Sequence, residues 1–467
     1  MTPDDSSTTE LSGWGRTTHK HTRVRRPDAD GGVVDAVLAE PEVTIRGAGK
    51  SYGDAALPGH GVVLDMTARD RIISFDQGNG VIVAEAGVLL KEIAEQALPL
   101  GWLLPVMPGT EWITVGGAIA SDVHGKNHPG AGSFGRHVRW LALLRSDGVP
   151  TQLSPGQDAD AFWSTIGGMG LTGVILQAAI QLHRVETGWA VRERHRTRSL
   201  PETLSLLRTL ATHQESDPNH HVIAWLDAHS TGPSLGRALI DEFHPATTRD
   251  LPTAVPPFPE RRGHAARPRT APASSGRRRV RSLPGPGLVS RATIFAAAAA
   301  RWHLSRAGRQ LVPLHSALCP LDRTESWPAA FGRGGLIQYQ FAVPPDEADV
   351  VGEVLRFLAT HRMAPALATL KNLGRGSGGL LSFPIPGWTL AVDLPARWLH
   401  DPEALRPIDK LVAAAGGRVY LAKDALSDPH LIPVMYPRLP AWQRTQARLD
   451  PERRWTSALA ERLGLLR

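Results

Sequence analysis

Two stretches of the chain place small and polar residues together in a way that could do chemistry. From Pro105 to Gly135 the sequence reads PVMPGTEWITVGGAIASDVHGKNHPGAGSFG, with seven glycines around an apolar run. Pro108-Gly109-Thr110 has turn chemistry, since proline fixes φ and glycine permits positive φ. Thr114 to Ala120, with Val115, Gly116 and Gly117, has little side-chain bulk, so backbone there can lie against a flat ligand. Ser121, Asp122, Val123, His124, Lys126, Asn127 and His128 follow at once. Small residues that admit a planar group, followed by polar ones, fit a cofactor cradle. A Gly-rich loop closing a β-rich domain would have the same composition.

The second stretch is TIRGAGKSYGD, Thr44 to Asp54. Backbone N–H groups in such a turn can converge on an anion such as a pyrophosphate. Two familiar phosphate motifs do not fit. A Walker A loop needs glycine five residues before its Gly-Lys-Ser triplet, and Thr44 stands there. The dinucleotide fingerprint G-x-G-x-x-G begins at Gly47-Ala48-Gly49 but meets Tyr52 at the third glycine, and no long helical pattern follows.

RGAGKSYGD, then PGT..TVGGAIASDVHGKNH..AGSFG, then FW.TIGG.GLTG together resemble the flavoprotein superfamily of vanillyl-alcohol oxidase and p-cresol methylhydroxylase. Within it the chain is most similar to the oxidase subunits of decaprenylphosphoryl-β-D-ribose 2′-epimerases. Leu11 to Arg16 (LSGWGR), Ile337 to Phe341 (IQYQF), Leu381 to Trp388 (LSFPIPGW), Tyr420 to Asp424 (YLAKD) and Met435 to Arg438 (MYPR) carry that closer resemblance. Only about 245–320 matches poorly. The resemblance implies an α+β protein with an FAD domain and an inserted substrate domain.

It also implies roles. The backbone of Ile45, Arg46, Gly47, Ala48, Gly49, Lys50, Ser51, Tyr52, Gly53, Asp54 and Ala55 would hold the FAD pyrophosphate. Gly109, Thr114 to Gly117 and Ser121 to His124 would line the rest, with Val174 and Ile175 on the adenine side. Relatives that attach FAD covalently do so through histidine in R-G-x-G-H-S; Lys50 stands at that position, so FAD is expected to be non-covalent. Lys423, His124 and Tyr420 are the catalytic candidates. A buried lysine can lose enough basicity to accept a hydroxyl proton, or, kept cationic, can stabilise negative charge. Trp225, Gln338, Gln340, Lys371 and Ala391 match substrate-pocket positions: amides and a lysine suit a sugar or phosphate, tryptophan an apolar wall. Ala391 replaces a cysteine of mycobacterial relatives, and Phe331 a pocket tyrosine.

The implied reaction is oxidation of the ribose 2′-hydroxyl of a polyprenyl-phosphoryl ribofuranose to a 2′-keto sugar, for cell-envelope polysaccharide. An NADH-dependent reductase would then complete the epimerisation, and a quinone or oxygen would accept the electrons. Oxidation of a soluble sugar, alditol or aldonolactone is the competing enzyme reading, and a non-catalytic flavin-binding protein the third.

These groups need elements to position them. Pro27 to Leu38 patterns as a short helix, with Val33, Val34, Val37 and Leu38 on one side. Val43 to Arg46, Val62 to Asp65 and Val81 to Ala86 read as strands. Leu89 to Leu98 reads as a helix with Leu89, Ile93 and Ala97 on one face. Gly167 to Gly170 forms another small-residue turn, and Val174 to Val185 alternates as a long strand. Short strands, few helices and ligand contacts on loops predict an α+β domain.

The pattern changes near Trp189. Ser199 to Glu202 carries a capping-box signature, opening a helix with Leu204, Leu207 and Leu210; His221 to Ala228 reads as a strand. Strand (335–343), helix (345–360), strand (364–372), strand (387–394), helix (402–414) and strand (418–423) then predict an antiparallel sheet with helices on one face. By the resemblance, 189–417 is the substrate domain and 11–188 with 418–467 the FAD domain. Residues 1–10 are expected to be disordered.

At 467 residues the chain can build two or three domains. It has one cysteine, Cys319, which excludes an intrachain disulfide and argues against a cysteine metal site; no metal site is expected. The net charge is +7, yet between Arg261 and Leu321 there are twelve arginines and no acid. Without that stretch the balance is 7 − 12 = −5, so the basicity is local. Leu251 to Leu288, rich in Pro, Arg, Ala, Ser and Gly, reads as a mobile loop, with a basic lid or membrane contact as its suggested role. It lacks the interleaved aromatics of a nucleic-acid module. MTPDDSSTTE has no apolar run, and no stretch is long enough to span a bilayer. The expectation is a cytoplasmic protein, free or peripheral to the inner face of the plasma membrane.

Overall fold

A computed structural model describes residues 8–259, 291–323 and 327–466. The first part of the chain makes two small sheets. Val24–Arg25 (β1), Val43–Arg46 (β2) and Val62–Asp65 (β3) form a parallel sheet in the order β1-β3-β2. Helix α1, Asp30–Ala39, lays Val33 and Val37 on it, and Leu64, Leu144, Val174 and Trp455 close the same core. Ile72–Asp76 (β4), Val81–Glu85 (β5), Val138–Leu144 (β6), Pro150–Leu153 (β7) and Val174–Gln181 (β8) form an antiparallel sheet in the order β7-β6-β8-β5-β4. Helix α2, Leu90–Ala97, buries Ile93, Ala94 and Ala97 beside it.

Thr114 to Ala120, read in sequence as a small-residue stretch, contains a helix, α3 (Val115–Ala120). Thr114 caps it by accepting from the Gly117 N–H at 3.1 Å, and Val115, Ala118 and Ile119 bury completely. The long strand expected over Val174 to Val185 ends at Gln181; His183–Arg184 pairs separately with Trp102–Leu103. Thr9–Ser12 pairs with His19–Thr22, so Thr9 and Glu10 belong to a strand and not to a disordered leader.

From Trp189 onward one eight-stranded antiparallel sheet dominates. Its strands are Trp189–Thr197 (β9), His221–Leu226 (β10), Ala238–Pro245 (β11), Gly308–Pro313 (β12), Leu336–Val343 (β13), Leu367–Leu373 (β14), Gly387–Pro395 (β15) and Arg418–Val419 (β16). They lie in the order β12-β9-β11-β10-β14-β15-β13-β16. Helices α4 (Leu200–Ser216), α5 (Arg291–Leu304), α6 (Asp349–Thr360) and α7 (Arg406–Ala414) accompany the sheet. Ser199 caps α4, accepting from the Glu202 N–H.

Strand periodicity sorts this sheet into two faces. In β13, Ile337, Tyr339 and Phe341 join the core with Leu207 of α4, Val354 of α6 and Ile408 of α7. Ala368 and Leu370 of β14 and Leu390 and Val392 of β15 join the same core. Gln338, Gln340, Thr369, Lys371 and Ala391 point the other way.

The tail then returns to the first part of the chain. Trp442 of α8 (Leu439–Leu449) donates to Ser164 O at 3.0 Å, and Trp455 bridges to Val43. Arg462 of α9 (Ala458–Leu463) binds Asp54 at 2.9 Å and Asp424 at 2.8 Å. Of the basic loop expected at 251–288, residues 260–288 lie outside the described residues. Residues 251–259 are docked: the Gly188 N–H donates to Pro257 O at 2.8 Å and Trp189 Nε1 to Pro256 O at 2.9 Å. Among the described residues no helix is long and apolar enough to cross a membrane.

Candidate active site

The polar face of the large sheet, both Gly-rich stretches and the Tyr420 turn enclose a cavity of ≈ 1240 Å³. That exceeds the ~300–1,000 Å³ usual for a drug-sized ligand, so it suits a long cofactor with a substrate beside it. Ile45, Arg46, Gly47, Ala48, Gly49, Lys50, Ser51, Tyr52 and Ala55 line it from the first stretch. Gly109, Thr114, Gly116, Gly117, Ser121, Val123 and His124 line it from the second. Ile175, Trp225, Gln338, Gln340, Lys371, Ala391, Tyr420 and Lys423 complete the expected set.

Five expected residues turn away. Val115 faces the core because it begins the apolar side of α3, and Val174 packs against α1. Gly53 abuts the Asp424 carbonyl, and Asp54 pairs with Arg462. Asp122 is a fully buried hub at φ 40°, accepting from Ser133 Oγ, the Gly135 N–H, Ser377 Oγ and Ser382 Oγ. Phe331 is also absent from the lining; it packs edge-on against Trp327.

The two Gly-rich stretches meet in space. A Cβ on Gly47 would stand 2.2 Å from Thr114 Oγ1, so only glycine lets them close. Gly49 adopts φ 63° in the turn between them. Among the described residues, the N–H groups of Gly47, Ala48 and Gly49 donate to no backbone carbonyl. These residues are half-buried on the cavity wall, and consecutive free N–H groups in a turn make an anion-binding nest. Among the described residues Arg46 makes no ion pair within 4.0 Å, although the Asp65 charge acts on it. Its guanidinium donates to Ser12 O at 2.8 Å and Ala56 O at 3.0 Å.

The far end of the cavity collects buried ionisable groups. Burial pushes the Lys423 ammonium down to about 8, although Asp393 pulls the other way. Its Nζ sits 3.9 Å from the centre of the Tyr52 ring. Burial, with the charges of Lys126 and Lys423, brings Lys371 to about 7. Lys371 Nζ is 3.3 Å from His124 Nδ1, and Gln340 Nε2 is 3.0 Å from His124 Nε2. Burial, then the Lys371 charge, holds the His124 imidazole neutral, well below its usual range. Gln340 also donates to Thr389 Oγ1 at 3.1 Å. With both amide hydrogens so placed, His124 Nε2 accepts and Nδ1 carries the proton, which Gly125 O faces at 3.5 Å and which Lys371 Nζ accepts only as the neutral amine. Tyr420 donates to Ser121 O at 2.9 Å and stacks on Phe383.

Three elements of the site escaped the sequence reading. Asp393, two residues beyond Ala391 and so on the same strand face, accepts from Gln338 Nε2 at 2.5 Å and Trp327 Nε1 at 2.9 Å. Period-two alternation from Ala391 would have found it. Trp14 lies under Lys50, whose Nζ is 3.4 Å from a ring centre. Pro320 to Asp322 closes one side, with the Glu111 N–H donating to Asp322 at 2.8 Å. Trp14 was visible within LSGWGR; nothing local marks Asp322.

Residues 33–154 match a family described as FAD binding domain. A decaprenylphosphoryl-β-D-ribose oxidase of Mycolicibacterium smegmatis is 37% identical over 99% of this chain and 98% of its own. The chain belongs to that oxidase family. It is an FAD-dependent oxidoreductase acting on CH–OH groups, within the vanillyl-alcohol oxidase superfamily. An uncharacterised protein of Streptomyces coelicolor is 38% identical over 81% of this chain and 100% of its own. Mouse L-gulonolactone oxidase is 30% identical over only 32% of this chain and 34% of its own. Membership of the oxidase family explains why the unpartnered turn at Gly47 to Gly49 faces a long cavity: FAD fits that combination of nest and volume.

Proposed function

We propose that the chain oxidises the 2′-hydroxyl of a polyprenyl-phosphoryl-β-D-ribofuranose to the 2′-keto sugar, with FAD bound non-covalently. The observation that carries this reading is the pair of buried lysines, Lys423 and Lys371, on one wall with Gln338 and Gln340. The oxidase of M. smegmatis, alike over nearly the whole of both chains, supplies the sugar class.

The Gly47 to Ser51 backbone would hold the pyrophosphate, and Thr114, Gly116, Gly117, Ser121 and Ile175 would flank the rest of the cofactor. FAD, when bound, accepts the hydride from the carbon that carries the hydroxyl. Lys423 Nζ, neutral above about pH 8, takes the hydroxyl proton. Lys371 and the Gln338 and Gln340 amides hold the remaining sugar oxygens, while Trp225 gives the pocket an apolar wall. His124 keeps Lys371 in place through Nδ1 and does not itself need to ionise. Lys50 stands where covalent relatives have their histidine, and its ammonium lies over the Trp14 ring.

The keto sugar calls for a separate nicotinamide-dependent reductase to give the arabinose form. A quinone or oxygen serves as terminal acceptor, and a lipid-linked substrate requires contact with a membrane surface. Anaerobic titration of the purified protein with a short-chain polyprenyl-phosphoryl ribose should bleach the flavin band, and an alditol or aldonolactone should not. Acid precipitation should leave the flavin in the supernatant. Bleaching by the soluble sugar alone would overturn the lipid-sugar reading.

A further inference from the structure

The helix-side face of the large sheet carries a cluster that has no part in the cavity. Helix α4 ends with His213 in its last turn, and a turn through Asp217 places His220 just before β10. Glu242, in the middle of β11, lies opposite Val222 of β10 and Glu193 of β9. The ligand atoms of His213, His220 and Glu242 all lie within 4.8 Å of one another. His220 Nε2 is 3.6 Å from Glu242 Oε2, and His195 Nε2 of β9 is 3.5 Å from Glu242 Oε1. Charge-assisted hydrogen bonds are shorter, ~2.7–2.9 Å. His220 Nε2 and Glu242 Oε2 are both shielded from water, and among the described residues neither has a partner within hydrogen-bond length; they face each other as an ion pair at 3.6 Å. Two ligands at ~2.0–2.1 Å from a tetrahedral ion stand ~3.3–3.4 Å apart, close to the spacing seen here.

We propose that His213, His220 and Glu242 bind a divalent transition-metal ion of the zinc type. Two imidazoles and a carboxylate suit such an ion better than calcium or magnesium, which take oxygen ligands. His195 faces the second carboxylate oxygen and orients it. The neighbouring set of Glu193, His195 and Glu242 is poorer, because Glu193 lies opposite Arg309 across the ladder. His213 is exposed, which leaves a fourth position open to water. The ion would tie the end of α4 to β11. The same segment supports the cavity: Gln214 Nε2 and the Val222 N–H both donate to Lys126 O, and Lys126 is a lining residue.

The test uses the full, tag-free, FAD-loaded chain, stripped with chelator and titrated with Zn²⁺ by calorimetry, with melting curves alongside. One saturable site and a raised Tm are expected. His213→Ala, at an exposed position, should weaken binding roughly tenfold or more. The double variant His213→Ala/His220→Ala should abolish it, and Glu193→Gln should leave it unchanged, with circular dichroism and the flavin spectrum unaltered throughout. Absence of saturable binding, or binding that survives the double variant, would overturn the site. Loss on Glu193→Gln but not on His213→Ala would overturn the ligand set.

Discussion

Lys423 and Lys371 owe their chemistry to where the backbone puts them. An ammonium costs free energy when withdrawn from water, and here desolvation outweighs the attraction of Asp393. If neutral Lys423 takes the hydroxyl proton, Lys423→Met should lower kcat by about 10²–10⁴-fold while FAD stays bound. The wild-type rate should rise with pH through about 8, where the amine loses its proton, and the variant should lose that rise. An unchanged pH profile in Lys423→Met would assign the proton to another group. The family resemblance singled out Lys423, Lys371 and Gln340, whereas His124 was also marked by its place directly after the Gly-rich run. Asp393 could be reached only through its strand, by stepping two residues on from Ala391, since its type alone reads as a surface residue.

The phosphate turn shows how an element constrains its residues. Gly49 combines φ 63° with a virtual Cβ 2.2 Å from Arg46 Nη2. A Gly49→Ala side chain would therefore meet both backbone strain of about 1–2 kcal/mol and a guanidinium already bonded to Ser12 and Ala56. The expected outcome is weaker FAD binding and a lower Tm, read by flavin release during melting; a variant that keeps its flavin to the wild-type temperature would refute the role. Strands and helices with regular apolar spacing were legible within a few residues. Helix α3 was not, because Gly116 and Gly117 each disfavour a helix by about 1 kcal/mol, and only burial of Val115, Ala118 and Ile119 overrides them. Strand β9 hid behind its charges: Arg192, Glu193, Arg194 and Arg196 interrupt any apolar alternation. The strand expected at 418–423 is shorter because the chain turns at Leu421–Lys423, and that turn delivers Lys423 to the cavity.

Across the whole molecule, the division of labour follows from one large sheet: α4, α6 and α7 cover one face, while the other carries the polar cavity wall and, against the expectation of helices on one face, an apolar patch of Ile223, Trp225 and Leu239 packed with Trp302 of α5. The two-faced alternation was readable strand by strand, but the strand order, with β14 between β10 and β15, was not, because pairing depends on packing between distant segments. Burying polar groups at the junction has a consequence for stability. Burial lowers the imidazoles of His124, His128 and His221, to about 3 for His128, so they remain neutral in the fold. In the unfolded chain they charge near 6.5, so the unfolded state binds more protons below that pH. The resulting penalty is absent above pH 6.5 and grows as pH falls from there; for His128 it reaches about 2 kcal/mol by pH 5. Asp409, raised to about 7 by burial, acts oppositely, because protonation favours its native form. Burial raises Glu92, Asp322, Asp393 and Asp450 too, while His137 and His183 join the lowered imidazoles, and between pH 7 and pH 5 it is the imidazoles that gain protons on unfolding. The FAD-loaded protein should thus melt well below its neutral-pH Tm at pH 5. His128→Asn keeps a polar group near the Gly374 N–H that His128 Nδ1 now accepts from, at 3.0 Å, but cannot titrate. It should shrink the drop in Tm between pH 7.5 and pH 5, and a drop of wild-type size in that variant would show that His128 is not among the groups responsible.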